Sequence, residues 1–286
     1  MPTQGTHRRL LRRAAAGCAA VLSLALVCAC GTTHAGSSAA SAVRPSASAS
    51  ASSSPSASDS PSAHPTAHPA PAPATTAAAP PLAAGAPESS IVYSTATGGR
   101  TVALSFDDGP GPATPKILDL LAQYHAKATF CEIGPQAAAD PAIVQRIRAA
   151  GHRLCDHTVH HPQPMHTLSH DKQTYEIDAA KDMIVKAGGP GTEVSWFRAP
   201  GGDFSADNRQ IAVQDDLRPL GWTVDTRDWA RPGVDKILAT AQRQLHPGGV
   251  ILMHDGGGDR SQTVAALAEL LPWLVQQGYT FDFPAS

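Results

Sequence analysis

Residues 101–109 read TVALSFDDG, an apolar run that ends in Asp107, Asp108 and Gly109. The run is typical of a buried β-strand, which we place at residues 101–106. Two adjacent carboxylates are unfavourable unless a nearby positive charge or hydrogen bonds offset their repulsion. The stretch therefore predicts a strand whose polar end has a cationic partner.

Apolar, β-rich runs alternate with helical patterns through the rest of the chain. The other predicted strands are 128–133, 153–156, 194–198, 221–225, 250–254 and 279–283. The predicted helices are 114–124, 141–150, 172–187, 234–245 and 262–277. This alternation favours the α/β class with a parallel sheet, and seven strands predict a distorted (β/α) barrel that lacks one unit. In such barrels, functional residues lie where the strands end.

Polar side chains follow five of the predicted strands. They lie in the segments DD (107–108), DHTVHHP (156–162), RAPGG (198–202), DTRDW (225–229) and LMHD (252–255). His157 and His161 are four residues apart, a spacing common for paired metal ligands, and Asp108 would add a carboxylate. A divalent cation beside Asp108 would offset the repulsion between the two acids and keep Asp107 ionised.

These motifs, taken in order, resemble the polysaccharide deacetylases, the NodB homology domain of carbohydrate esterase family four. The matching segments are FDDG (106–109), HTVHH (157–161), RAP (198–200), DTRDW (225–229) and LMH (252–254). Each motif is weak alone, but the ordered set is specific and extends over most of the chain from Thr101 onward. The resemblance implies metal-dependent hydrolysis of N-acetyl groups on a glycan.

The resemblance also implies a role for each matching residue. Asp108, His157 and His161 would hold the metal, which the ligand set suggests is zinc, with cobalt or nickel as alternatives. Asp107 would be the general base, and Arg198 would orient it.

The remaining motifs imply the acid and the pocket. His254 would protonate the departing amine, since an amine leaves badly without a proton, and Asp228 would orient His254. The backbone N–H of Gly201 would stabilise the oxyanion. The implied pocket residues are Trp229, Leu252 and Pro200, although core packing would equally explain Trp229 and Leu252.

Two residues depart from the family pattern. Gly201 stands where the family has tyrosine after the proline, so we expect the chemistry to remain and the substrate preference to differ. Asp156 stands where the family often has asparagine, and its carboxylate would either strengthen metal binding or face solvent.

The first 30 residues have the pattern of an export signal. A basic stretch, 7–13, precedes an apolar stretch, 14–29, that is short for a membrane span. LVCAC (26–30) resembles a bacterial lipobox, which implies cleavage before Cys30 and a lipid on its sulfur. An ordinary signal peptide is the alternative. We expect an exported protein, anchored to the outer face of the cytoplasmic membrane or else secreted.

Residues 31–90 are rich in alanine, serine and proline and contain few large apolar residues. Such a segment cannot bury enough surface to offset its ordering entropy, so we predict a disordered tether. Residues 91–286 then form the deacetylase domain. Its two cysteines, Cys131 and Cys155, are predicted to form a disulfide in the oxidising compartment, with two free thiols as the alternative.

The tether suggests peptidoglycan N-acetylglucosamine as the substrate, because a wall-facing anchored enzyme has wall glycan at hand. Chitin oligomers and acetylated xylan are the alternatives within this chemistry. A non-catalytic wall-binding domain and a non-haem iron oxygenase are alternatives of other classes. With a net charge of -2 and scattered basic residues, the sequence gives no indication of nucleic-acid binding.

Overall fold

The computed structural model describes residues 89–286, so the predicted signal segment, most of the tether and Cys30 lie outside the described residues. The strands are β1 Thr101–Gly109, β2 Ala128–Glu132, β3 Arg153–Asp156, β4 Val194–Phe197, β5 Arg218–Pro219, β6 Val224–Asp225, β7 Gly249–His254 and β8 Thr280–Phe281. The helices are α1 Thr114–Gln123, α2 Gly134–Ala139, α3 Pro141–Ala149, α4 His170–Gly188, α5 Ala206–Gln214, α6 Val234–Gln244 and α7 Ser261–Gln276. Among these helices, none has the length and apolar character that a membrane span requires.

The strands form one parallel sheet in the order β5-β4-β3-β2-β1-β7-β6, and β8 pairs with the start of β1. β5 and β6 lie at opposite edges of this sheet, yet only residues 220–223 connect them. Because an extended residue spans at most about 3.6 Å, so short a link requires the sheet to curl until its edges approach each other. The predicted α/β fold with a distorted, incomplete barrel is confirmed.

Successive side chains of β1 face two different cores, as the two-residue period of a strand requires. Val102, Leu104 and Phe106 pack into the large apolar core that the helices cover. Ala103 packs into a small inner core with residues of the neighbouring strands. The inner core contains Val92, Cys131, Cys155, Trp196, Leu220 and Val250. Asp107 continues the inward series at the carboxyl end of the sheet.

Three elements escaped the sequence analysis because they are short or weakly patterned. β5 has two residues and α2 has six, too few to show a period. Helix α5 was missed although its start carries a signal. Ser205 accepts a hydrogen bond from the N–H of Asn208, and the Asn208 side chain accepts one from the N–H of Ser205. This reciprocal cap is an established signal for a helix start.

Candidate metal and catalytic site

A bulge at the end of β1 directs two successive acids toward one site. The pairing of β1 with β2 shifts register between Asp107 and Gly109, and Asp108 adopts a left-handed φ of 71°. A regular strand would point the two side chains to opposite faces, whereas a bulge redirects one of them. As a result, His157 Nε2 lies 3.6 Å from Asp107 Oδ2 and 3.5 Å from Asp108 Oδ1.

Asp108, His157 and His161 form a set of three converging ligand atoms. Asp108 Oδ1 lies 3.3 Å from His161 Nε2, and the three candidate ligand atoms all lie within 4.8 Å of one another. Burial raises the pKa of Asp108, but the close approach of His157 and the charges of the surrounding histidines outweigh burial and lower the pKa below the usual range. The carboxylate therefore stays ionised, as a metal ligand must.

These residues fit a divalent metal. Asp108 Oδ1 is buried and has no hydrogen-bond partner among the described residues, which leaves its lone pairs for a cation. Its separations of 3.3 and 3.5 Å from the two imidazole nitrogens match the spacing of about 3.4 Å between ligands bound tetrahedrally at about 2.1 Å. Two imidazoles and one carboxylate would leave further coordination positions open, as catalytic zinc sites do.

The protein fixes the orientation of the His157 ring. His157 Nδ1 lies 2.7 Å from the carbonyl oxygen of Arg198. A carbonyl can only accept, so Nδ1 carries the hydrogen and Nε2 presents its lone pair to the site.

Asp156 and Glu176 hold the loop that carries both histidines. Asp156 is fully buried, and its Oδ1 accepts a hydrogen bond of 2.8 Å from the N–H of Thr158. The alternative that Asp156 faces solvent is therefore wrong, and Asp156 lies outside the converging ligand set.

Glu176, on α4, accepts hydrogen bonds from two successive backbone N–H groups of this loop, those of Val159 and His160, at 3.1 and 2.8 Å. His160 Nδ1 contacts the other oxygen of Glu176 at 2.7 Å, so this ring is held outside the ligand set. The sequence analysis missed Glu176, because a glutamate within a helix gives no local signal of a distant contact.

The same loop has strained backbone geometry. Thr158 and His161 adopt φ values of 71° and 52°. Such values are uncommon without glycine, and for a β-branched residue such as threonine they are genuine outliers that cost about 1–3 kcal/mol each. The hydrogen bond from the N–H of His161 to Thr158 Oγ1, at 3.0 Å, helps to maintain this conformation.

Arg198 is fully buried and holds Asp107 in place. Its Nη1 donates to Asp107 Oδ1 at 2.5 Å, while Nε and Nη2 donate to the carbonyl oxygens of Leu220 and Gly221 at 3.0 and 3.2 Å. A buried carboxylate needs such a charged partner to remain ionised. The short link between β5 and β6 thus positions the guanidinium through its carbonyl groups.

His254 ends β7 on the other side of the cleft and pairs with Asp228. The ring Nδ1 lies 2.8 Å from Asp228 Oδ1, and the N–H of His254 donates to Asp228 Oδ2 at 2.9 Å. Thr263 Oγ1 donates to the same Oδ2 at 2.7 Å. Burial lowers the pKa of His254, but Asp228 and the neighbouring acids outweigh burial and raise it above the usual value. The imidazolium is therefore stabilised with its Nε2 available to the cleft.

Between these two sides lies a cavity of about 390 Å³. Trp229 and Leu252 line it; Trp229 is 46% exposed, which does not fit core packing, whereas Leu252 is buried. Gly201 also lines the cavity, but Pro200 is buried in the turn and is not among the lining residues.

Two further buried acids lie next to the site, and the sequence analysis gave neither of them a role. Glu132 ends β2, and neither of its carboxylate oxygens has a hydrogen-bond partner among the described residues. Burial raises its pKa well above the usual value, and the charges of Asp255 and Asp107 raise it further. Burial also raises the pKa of Asp255, to about 7, although Asp255 accepts a hydrogen bond from Thr114.

Cys131 and Cys155 lie directly opposite each other on β2 and β3, and a disulfide joins them. Both side chains are fully buried in the inner core, beneath the strand ends that carry Glu132 and Asp156.

Residues 94–220 match a family model described as polysaccharide deacetylase. A peptidoglycan-N-acetylglucosamine deacetylase from Bacillus cereus is 36% identical to this chain over 200 residues, which cover 68% of this chain and 91% of that protein. A chitooligosaccharide deacetylase from Sinorhizobium fredii is 37% identical over 194 residues, with 64% and 89% covered.

The solved structure of a carbohydrate esterase family 4 pseudoenzyme from Bacillus anthracis also resembles this chain, with a TM-score of 0.62 and 31% identity. The similarity covers 68% of this chain and 67% of that one. Since proteins named as deacetylases and a pseudoenzyme are both similar to this chain, the assignment of activity depends on the side chains around the cleft.

Proposed function

The chain belongs to the polysaccharide deacetylase family, and we propose that it removes N-acetyl groups from peptidoglycan N-acetylglucosamine. The observation that carries this proposal is the convergence of a candidate metal set, a second acid and a paired histidine on one cavity. The reaction consumes one water and one amide, and it yields acetate and a free amine on the sugar.

A divalent metal ion would be held by Asp108, His157 and His161, and we propose that this ion is zinc. A bound divalent cation would polarise the amide carbonyl and lower the pKa of a water molecule. The carbonyl oxygen of Arg198 keeps His157 in the tautomer that can bind the cation.

Asp107 would take the proton from the attacking water. Its Oδ1 is engaged by Arg198, whereas its Oδ2 faces the candidate metal set, 3.6 Å from His157 Nε2. The guanidinium thus leaves one oxygen available for proton transfer and fixes its direction.

His254 would give a proton to the departing amine nitrogen. Asp228 accepts from Nδ1, which leaves Nε2 as the proton donor toward the cavity that His254 lines. The pairing with Asp228 raises the pKa of His254 and so favours the protonated ring that a general acid requires. We also assign the backbone N–H of Gly201 to the developing oxyanion, because Gly201 lines the same cavity.

Two observations support peptidoglycan as the substrate and a cell-surface location. One is the similarity to the Bacillus cereus enzyme, whose name states that substrate. The other is the sequence of the first 90 residues, which has the pattern of an export signal, a lipobox at Cys30 and a tether. The similarity to a chitooligosaccharide deacetylase makes chitin oligomers the second candidate.

Acetate release from peptidoglycan, chitin oligomers and acetylated xylan tests the proposal. The purified protein is stripped of metal and titrated with zinc, cobalt or nickel, beside Asp107→Asn and the surface control Asp119→Asn. We expect metal-dependent release, fastest from peptidoglycan, that Asp107→Asn reduces by about 10²- to 10⁴-fold and Asp119→Asn leaves intact.

Glycan binding without acetate release, despite one bound metal per chain, would contradict this proposal and indicate a non-catalytic wall-binding domain. Faster release from chitin oligomers would change the substrate only.

A further inference from the structure

Residues 91–93, called the strap below, directly follow the predicted tether and pair with the short link between β5 and β6. Val92 forms a parallel bridge with Leu220. The N–H of Val92 donates to the carbonyl oxygen of Pro219, and the carbonyl oxygen of Val92 accepts from the N–H of Gly221, both at 2.8 Å. The strap therefore holds the link through its backbone.

The side chains of the strap also contact the link. Val92 is buried and packs with Leu220 in the inner core. Ile91 and Tyr93 lie against Gly221, where an added methyl group would be 2.9 Å from Ile91 Cγ2 and 2.3 Å from Tyr93 Cε1. So close an approach of the strap to the link requires glycine at this position.

The same link holds Arg198. The carbonyl oxygens of Leu220 and Gly221 accept from Arg198 Nε and Nη2, and these are two of the residues that the strap contacts. Arg198 in turn donates to Asp107 Oδ1. A continuous series of contacts therefore runs from Val92 to the proposed general base.

Gly221 depends on the strap more than its neighbours do. The N–H of Leu220 donates to the carbonyl oxygen of Phe197, and that of Thr223 donates to Val250, whereas the N–H of Gly221 donates to the strap. Glycine has no side chain to hold it and is conformationally free. The direction of the Gly221 carbonyl group is therefore set largely by the strap.

We propose that the strap is a positioning element of the catalytic site. By holding Leu220 and Gly221, it fixes the direction of the Arg198 guanidinium and, through it, the carboxylate of Asp107. This inference rests on the proposed function, in which Asp107 is the general base. A displacement of about 1 Å at a reacting group can cost about 100-fold in rate, so the position of the strap governs kcat.

The test measures acetate release from the β-1,4-linked tetramer of N-acetylglucosamine by zinc-loaded Val92→Asp and the milder Val92→Ala. Ser94→Asp is the matched control, because Ser94 is exposed. A carboxylate at Val92 would be buried without a partner, so it displaces the strap. We expect kcat to fall about 10- to 100-fold in Val92→Asp and by a smaller factor in Val92→Ala, with KM and bound zinc per chain unchanged. Ser94→Asp should retain kcat. Unchanged kcat in both Val92 variants would overturn the proposal.

A double-mutant cycle shows whether the strap acts through Arg198. Arg198→Lys keeps the positive charge but loses the planar fork that reaches Leu220 and Gly221. Val92→Ala is expected to lower kcat in the unmodified protein and to add no further loss in Arg198→Lys, because the connection is already broken there. An equal loss in both backgrounds would mean that Val92 contributes only to general stability, and it would overturn the proposal.

A spectroscopic measurement separates this inference from the proposed function. Trp222 belongs to the link, so fluorine NMR of protein labelled with fluorotryptophan reports the order of the link, with Trp273 on α7 as the internal reference. Val92→Ala should shift or broaden the Trp222 resonance, assigned through Trp222→Phe, and leave that of Trp273 in place. This change in a protein that releases no acetate would support the hold of the strap on the link and contradict the proposed function alone. An unaltered Trp222 resonance, with acetate released normally, would contradict the strap alone.

Discussion

On one side of the catalytic cleft, Asp108 Oδ1 is buried without a hydrogen-bond partner among the described residues, whereas on the other side both carboxylate oxygens of Asp228 accept hydrogen bonds. The metal side, Asp108 with His157 and His161, thus has a buried carboxylate oxygen that is open to a cation. The acid side, His254 with Asp228, is satisfied by the protein itself. The two sides can therefore lose function separately, the metal side by losing the ion and the acid side by losing the proton donor.

The largest expected effect comes from removing a candidate ligand on the metal side. His157→Ala would abolish metal binding, and acetate release would fall to the rate without protein, because the cation supplies the activation of water and carbonyl. Bound metal is measured by elemental analysis after dialysis, and folding by thermal melting. Full retention of one metal per chain in this variant would show that the ion binds elsewhere.

On the acid side, His254→Ala is expected to lower kcat by about 10²- to 10⁴-fold and leave the metal bound. This result would complete the contrast, since the same assay of bound metal would separate the two halves. If His254→Ala also lost the metal, the two sides would not be independent.

The pH dependence of kcat in Asp228→Asn tests the acid side separately. Burial lowers the pKa of His254, but the carboxylate of Asp228 raises it overall, so the protonated acid persists to higher pH. Activity that needs this proton falls as the pH rises through that pKa. The amide variant removes the charge, so the alkaline limb of the kcat profile should move to lower pH. A limb that stays in place would assign it to another group.

The sequence supports the two sides of the cleft to different extents. Strand ends could be located because β1 and β7 are continuous apolar runs that stop at charged residues, and the roles followed from the resemblance. The bulge that turns Asp108 toward Asp107 has no sequence pattern of its own, since it depends on the register with β2. The pairing of the strap with Gly221 was likewise missed, because it arises only when two distant segments fold together.

A smaller effect is expected from Glu176, which holds the metal-side loop without touching the ligand atoms. Glu176→Gln removes the negative charge that accepts from the N–H groups of Val159 and His160 and replaces one of the two carboxylate oxygens by an NH₂ group. We expect zinc affinity to fall about 10- to 100-fold, as for other residues that orient metal ligands. Asp178→Asn, on the exposed face of the same helix, is the matched control.

Competition with a zinc-sensitive dye gives the affinities of both variants. At saturating zinc, Glu176→Gln should regain most of its kcat, because the loop returns to its bound geometry when the ion is held. Equal affinities for Glu176→Gln and Asp178→Asn would mean that the strained backbone of Thr158 and His161 maintains the loop unaided.

The smallest effect on catalysis is expected from the disulfide beneath the metal side. Replacing both Cys131 and Cys155 by alanine removes a cross-link with a sequence separation of 24 residues. We expect the free energy of unfolding to fall by about 3 kcal/mol. The loop that carries His157 is held by Asp156 and Glu176 rather than by the sulfurs, so zinc affinity and kcat should change little. Urea unfolding monitored by tryptophan fluorescence measures the first effect, and the dye competition measures the second. Loss of zinc affinity equal to that of Glu176→Gln would show that the inner core, as well as the loop contacts, positions the metal side.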